Sequence, residues 1–163
     1  MKVSRDDLIR LGFGTALLIM LAIGAVSFRT EEKQVRTAAI VAHTHEVLEN
    51  LDGILAAVNR TESSARGFVM SADSRYLQSF RESNAALRAA MQDLEHLTAD
   101  NPAQHQRLRG LQVAIQRKTE LHDRKIKLRG TAGLQAALDF FLEGQDHLLM
   151  DDIRSRVLEM KSE

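Results

Sequence analysis

The sequence contains no cysteine and no tryptophan, and only one proline and one tyrosine among 163 residues. Without cysteine there is neither a disulfide framework nor a thiolate metal site. With a single proline, little interrupts long helices. Leu, Ala, Glu, Gln, Arg and Lys dominate, which is the composition of a helical protein. An excess of charge is also missing, because Lys+Arg and Asp+Glu each number 22. Nucleic acid needs a basic surplus to displace its counterions, so the balance argues against a nucleic-acid partner. It gives no pull toward an anionic membrane surface either.

One stretch has no charge at all. Leu11 to Phe28 reads LGFGTALLIMLAIGAVSF. As a helix it would rise ~27 Å, close to the ~30 Å hydrocarbon core. Leu8 and Ile9 extend it, and Arg10 can snorkel. The expectation is a transmembrane helix over 11–28, surrounded by lipid, behind a short cytoplasmic tail of residues 1–10. A cleaved signal peptide is the rival: Ala25-Val26-Ser27 loosely resembles a cleavage site, but the apolar run is longer than usual. A buried soluble helix would carry some polar face. Lys2, Arg5 and Arg10 precede the span, and Arg29, Lys33 and Arg36 follow it, so the positive-inside count is a tie. The short tail is the easier part to leave in the cytoplasm, which puts the bulk of the chain outside.

From about Thr30 the pattern becomes amphipathic. Val41, Thr44, Leu48, Leu51, Leu55, Val58, Glu62, Ala65 and Val69 recur at spacings of three and four, a heptad seam. A polar break follows at Ser71-Ala72-Asp73-Ser74, with Asp73 or Ser71 as a candidate N-cap. The seam restarts at Leu77, Phe80, Asn84, Leu87, Met91, Leu94 and Thr98. Asp100-Asn101-Pro102 then offers an Asn cap and Pro at the first helical position. A third helix carries Leu108, Leu111, Ile115, Thr119, His122 and Ile126. Gly130 suits a left-handed residue after it. A fourth carries Leu134, Leu138, Phe141, Gln145, Leu148 or Leu149, Asp152, Arg156 and Met160. Short connections force antiparallel neighbours. The fold expected is therefore all-α: a transmembrane helix, then an up-down-up-down four-helix bundle over 30–163, with helices near 30–71, 74–98, 102–129 and 133–162.

The order of several stretches resembles the type-three CHASE family, extracellular sensory domains associated with cyclases and histidine kinases. They are HTHEVLENLDGIL, ESSARGFVMSADSRYLQSF, LEHLTADNPAQHQRLRGLQ, RGTAGLQAALDFFLEG and LLMDDIRSRVLEM. The family pattern of Glu, Arg-Gly-aromatic, an acidic turn and Tyr-Leu falls here on Glu62, Arg66-Gly67-Phe68, Asp73 and Tyr76-Leu77. Its later turn falls on Asp100-Asn101-Pro102, and its Met-Asp-x-Ile-Arg run on Met150, Asp151, Ile153 and Arg154. The family usually has Gly where Ala72 stands and often Pro at Ser74; a left-handed turn at Ala costs more than at Gly. The resemblance implies the periplasmic input module of a receptor in a bacterial inner membrane. Its output would be a cytoplasmic histidine kinase, a diguanylate cyclase or a chemotaxis domain. The resemblance names no ligand. Receptors of this architecture act as dimers, so a homodimer through the first helix is expected, with Asn50 among its outward positions.

Catalytic chemistry is not supported. His45-Glu46 begins like a phospho-acceptor box but lacks the Arg and Pro that continue one, and no nucleotide-binding segment follows. His43 and His45 face different sides of a helix. Asp139, Glu143 and His147 share a stripe that could seat a cation, yet such stripes on bundles are usually solvated. No enzyme activity, cofactor or metal is expected. The polar interruptions of the seams carry more meaning. Register puts Glu62, Asn84, His122 and Gln145 near one level, ~14 Å below the distal tip. Arg66, one turn beyond Glu62, is placed to satisfy its charge. Gly67 lets helices pack closely at the corner. Such a layer either fixes register or reads a signal. Two other functions fit the pattern: a chemoreceptor-type four-helix ligand-binding domain, or a membrane-tethered scaffold with no ligand. A receptor would need a second apolar span beyond Glu163. The sequence holds none, so the expectation is a piece of a longer chain or a protein anchored by one helix.

Overall fold

The computed structural model describes residues 5–142 and 145–162, with side chains described at 13–23, 37–38, 40–142 and 146–162. Every element among them is helical: α1 (Arg5–Ser71), α2 (Ser74–Leu97), α3 (Pro102–Thr131), α4 (Gly133–Leu142) and α5 (Gln145–Lys161). They divide into two compact units, Met1–Thr44 and His45–Glu163.

The first unit is the N-terminal part of α1. Its described side chains at 13–23 are all exposed, among them Phe13, Leu17, Leu18, Ile19, Met20, Leu21 and Ile23. Among the described residues no helix is long and apolar enough to cross a membrane. The segment 13–23 rises only ~16 Å, about half a hydrocarbon core. The remaining side chains of the expected 11–28 span lie outside the described residues.

The second unit is a helical bundle around one apolar core. Leu51, Ile54 and Val58 of α1, Leu87, Met91 and Leu94 of α2, Leu108, Leu111 and Ile115 of α3, and Met150, Ile153, Val157 and Met160 of α5 form a single cluster. Burying each large aliphatic side chain stabilises by about 1.5–3 kcal/mol, which is what orders these helices against one another. Two polar links fasten the end away from the α1–α2 corner. Lys161 Nζ lies 2.5 Å from Asp52 Oδ1, and Gln104 Nε2 donates to the Met160 carbonyl at 3.0 Å.

At the α1–α2 corner, Ala72 takes the left-handed conformation with φ 57, although it is not glycine. Its N–H donates to the Phe68 carbonyl at 2.8 Å, closing α1. Ser71 Oγ donates to the Gly67 carbonyl at 2.7 Å and accepts from Asp73 N–H at 3.1 Å. Asp73 is the N-cap of α2, accepting from Arg75 N–H at 2.9 Å and from the Arg75 guanidinium. Those hydrogen bonds hold its carboxyl below the usual range. Gly67 has a specific task here. A Cβ on it would fall 2.8 Å from Tyr76 Cγ and closer still to the ring edge, so the Tyr76 ring lies directly on the glycine backbone.

Asn101 caps α3, accepting from Ala103 and Gln104 N–H at 3.1 Å, with Pro102 in the first helical position. The far end of α3 differs from expectation. The helix runs through Thr131, so Gly130 sits inside it, and the left-handed residue is Gly133 with φ 88. The Ala132 N–H closes the helix on the Leu128 carbonyl at 2.8 Å, and Arg129 Nε ties this end to α1 by donating to the Val69 carbonyl at 2.7 Å. The helix expected over 133–162 is described as two, α4 and α5, with residues 143–144 outside the described set. Its seam is also another one. Met150, Ile153, Val157 and Met160 are buried and Leu148 is exposed, while Asp152 and Arg156 pair with each other at 2.9 Å. The apolar residues at three–four spacing define the buried stripe; of the expected seam only Met160 lies on it, while Leu134 is exposed and Phe141 partly covered.

A left-handed alanine costs about 1–2 kcal/mol relative to the ordinary helical region, a penalty glycine does not bear. Ala72→Gly should therefore raise stability by up to about 1 kcal/mol, after its extra unfolded-state entropy is subtracted. Thermal or urea unfolding checks this, and the expected result is a higher melting temperature.

Candidate functional site

Beyond the apolar core, toward the α1–α2 corner, the interior turns polar. Lys118 of α3 is 2 % exposed. Its ammonium group has three N–H donors, and three acceptors surround it: Glu62 Oε2 at 2.9 Å, Asp146 Oδ1 at 2.8 Å and the Asp146 carbonyl at 2.8 Å. Lys125, two turns on, is also buried and pairs with the other oxygen of the same carboxylate, Asp146 Oδ2. Glu62 is shared. Arg66 holds its Oε1 at 2.6 Å from the more exposed side, while Lys118 holds Oε2 from within. Phe141 of α4 offers its ring face to Lys125 at 4.3 Å and to Arg66 at 5.8 Å.

His122 stands one turn from each lysine and is 1 % exposed. Its ring meets Phe80 of α2 edge-on, with centroids 6.5 Å apart. Neither ring nitrogen has a hydrogen-bond partner among the described residues. Burial pushes the imidazole down to about 4, outweighing the attraction of Asp146, so the ring is neutral at pH 7. Asp146 moves the other way from what burial alone would do. Burial raises its pKa, but the hydrogen bonds from Lys118 and Lys125 outweigh it and pull the carboxyl down to about 2.

These side chains border a cavity of about 110 Å³ lined by Glu62, Arg66, His122, Lys125, Phe141 and Asp146, with Val69, Met70 and Leu138 as apolar wall. Glu62, Arg66, Phe141 and Asp146 also line an open cleft of about 330 Å³, together with Asp151 and Arg154. Four side chains are common to both linings, so the cavity and the cleft adjoin.

Of the sequence-predicted residues, the structure brings Glu62, Arg66 and His122 to this cavity. Asp151 and Arg154, an exposed pair at 3.4 Å, stand at the cleft beside it. Asn84 is buried but lines a separate groove between α2 and α3 with Leu87, Met91 and Ile115. Gly67, Asp73 and Tyr76 shape the corner above. The side chain of Gln145 and all of Glu143 lie outside the described residues.

Lys118, Lys125, Asp146 and Phe141 went unrecognised as site residues. A signal for three of them existed. Strict three–four spacing from Leu108 runs through Leu111, Ile115, Lys118, His122 and Lys125, and all six are buried. Following residue type instead leads to Thr119 and Ile126, which are only partly covered. Asp146 likewise precedes Met150, Ile153, Val157 and Met160 in that rhythm.

Among known families, the CHASE3 domain matches residues 37–163. No curated protein matches the chain. Among solved structures, the histidine kinase HK9 sensor domain of Rhodopseudomonas palustris is similar, with a TM-score of 0.68 and 24% sequence identity. The match covers 72% of this chain and 92% of that one. At that identity, what is shared is the helical fold.

The neutral His122 sets a pH dependence. Unfolded, it takes up its proton near 6.5; folded, it does so near 4. Below 6.5 the unfolded chain binds the extra proton first, so stability is complete above that pH. It falls by about 3 kcal/mol as pH drops to 4. Asp146 gives up its contribution in a lower window, between 3.8 and about 2. Urea unfolding across pH 7.5 to 4 should show the first loss in the wild type. His122→Leu should flatten it.

Proposed function

The chain belongs to the CHASE3 domain family, and on that premise we propose that residues 30–163 are the periplasmic signal-input domain of a bacterial transmembrane receptor such as a sensor histidine kinase. The bundle has up-down-up-down four-helix topology, with α4 and α5 together as the fourth arm. Segment 11–28 anchors it in the inner membrane, and residues 1–10 stay in the cytoplasm. The chain is not catalytic. It passes a conformational change to a cytoplasmic output domain of the full-length receptor.

The observation that carries this reading is Lys118. One buried ammonium holds a carboxylate of α1 and a carboxylate of α5 at the same time, at 2.9 and 2.8 Å. The first arm and the last are the two that would lead from and to the membrane. A ligand or proton that changes how Lys118 divides its bonds biases one arm against the other, which is what a two-state signal requires. Support for the anchor comes from exposed Phe13, Leu17, Leu18, Ile19, Met20, Leu21 and Ile23, a set that suits lipid better than water.

The receptor acts as a homodimer through the first helix. Exposed Ile40 and Val41 suit such a contact. Asn50, expected to point outward, is partly covered and its Oδ1 is shielded, so it is not the position to probe.

Two measurements test this. In the intact receptor, Glu62→Gln leaves Lys118 one charged partner short. It should change basal or stimulated output more than it changes the melting temperature. A lowered melting temperature with wild-type output would sink the sensory reading in favour of a purely structural layer. Separately, Val41→Cys in native membranes should give a symmetric disulfide cross-link under mild oxidation, and none forming would count against the dimer.

A further inference from the structure

A second recess lies between α2 and α3, a groove of about 350 Å³. Small-molecule pockets run from about 300 to about 1,000 Å³, so the space is large enough for one. Its walls come from the stretch 84–120, every side chain of which is described. The floor is apolar, because Leu87, Met91 and Ile115 are all buried there. Asn84 interrupts that floor. It is 8 % exposed and stands in the α2 seam between Phe80 and Leu87, where an aliphatic side chain would pack. A buried amide at such a position costs stability unless it is hydrogen-bonded. Asn84 has no hydrogen-bond partner among the described residues. Unlike the His122 nitrogens, its amide is not sealed off, so it opens onto the groove. Gln112, partly covered on the α3 wall, shares both features. The bordering charges, Arg88 and Glu120, are exposed and of opposite sign, and Glu120 accepts from Gln116 Nε2 at 2.8 Å.

We propose that this groove binds a small neutral molecule carrying secondary amides on an apolar body, the chemistry of a blocked or cyclic dipeptide. A carboxamide offers one carbonyl acceptor and N–H donors. A secondary amide offers the complementary N–H and carbonyl, so the two meet in a pair of hydrogen bonds. Asn84 from α2 and Gln112 from α3 provide two such pairings. An aliphatic side chain of the ligand covers Leu87, Met91 and Ile115. A plain hydrocarbon would leave the Asn84 amide buried without a partner. An ion would leave the floor unmatched and would add a charge where Arg88 and Glu120 already balance. Thr119 of the same groove adjoins Lys118 in α3, so occupancy acts on the helix whose ammonium holds α1 and α5. The assignment gives the input-domain reading a ligand class and in that respect rests on it.

The test is NMR of the full chain in detergent micelles at pH 7, following the side-chain amide signals of Asn84 and Gln112. The probe is N-acetyl-leucine N-methylamide, and saturable shifts at both signals are expected. Three analogues should each bind about five-fold weaker or more. N-acetylglycine N-methylamide lacks the isobutyl group, N-acetyl-leucine methyl ester lacks one N–H, and free leucine is a zwitterion. Asn84→Leu restores an apolar seam. It should keep or raise the melting temperature while weakening the probe by about ten-fold or more, read at Gln112. Gln112→Ala changes a partly covered position, so it should fold normally and also weaken the probe, read at Asn84. No saturable shift, equal binding of the analogues, or full affinity in either variant overturns the site. Such a result leaves the input-domain reading to be judged on Glu62→Gln. Conversely, saturable binding with receptor output unmoved by the probe keeps the site and removes its role as the signal input.

Discussion

A buried ammonium has to be surrounded by acceptors, and Lys118 imposes that condition on the whole upper half of the bundle. Stripping the charge of water costs several kcal/mol, and only close, well-aligned acceptors offset it. Lys118 finds two carboxylate oxygens and one carbonyl, supplied by α1 and α5. Those two helices cannot drift apart without leaving a bare charge in the interior. The same carboxylate of Asp146 then fixes Lys125, and burial among these groups keeps His122 uncharged, the lysines adding to that effect and Asp146 opposing it. One charge placement thus determines the protonation states around it.

The division of labour along the bundle follows. Leu51, Ile54, Leu94, Leu108, Leu111, Ile153 and Val157 are sealed from solvent and hold the arms together by apolar burial, which is indifferent to small ligands or protons. The region from Glu62 to Val69, with Lys118 to Arg129 opposite, is held by charges and hydrogen bonds. A charge brought into that half would compete with those interactions. The same half also contains the cavity and the left-handed Ala72. A stable apolar half and a responsive polar half suit an input domain of the CHASE3 family, since the responsive end can rearrange without unfolding the core.

Much of the helical layout can be read from single residues. The scarcity of proline leaves few places to stop. Asp73 and Asn101 stand where caps form because a short side-chain oxygen can reach the N–H groups that the first turn leaves open. The seam that starts at a partly covered Leu77 is buried from Phe80 through Asn84, Leu87, Met91, Leu94 and Thr98. Charged residues in register were harder. A lysine on a helix is ordinarily solvated, so spacing guided by residue type passes through Thr119 and Ile126 rather than through the buried Lys118 and Lys125. Gly130 carries the residue type of a helix end, yet α3 continues through it to Thr131 and the left-handed residue is Gly133.

The sequence by itself determined that the chain is helical, where α2 and α3 are capped, that Phe80, Leu87, Met91, Leu94, Leu108, Leu111 and Ile115 are inside, and that Glu62 and His122 break an apolar pattern. Those are matters of spacing, capping and propensity, and they act within one helix. Only the tertiary structure decided that Glu62 shares its charge between Arg66 and Lys118, that Asp146 serves two lysines, and that His122 lines a cavity with no hydrogen-bond partner among the described residues. Those outcomes depend on which side chains from separate helices arrive at one level and on how much water remains there. Periodicity carries no record of either, because it places a residue on a face but not opposite a particular neighbour.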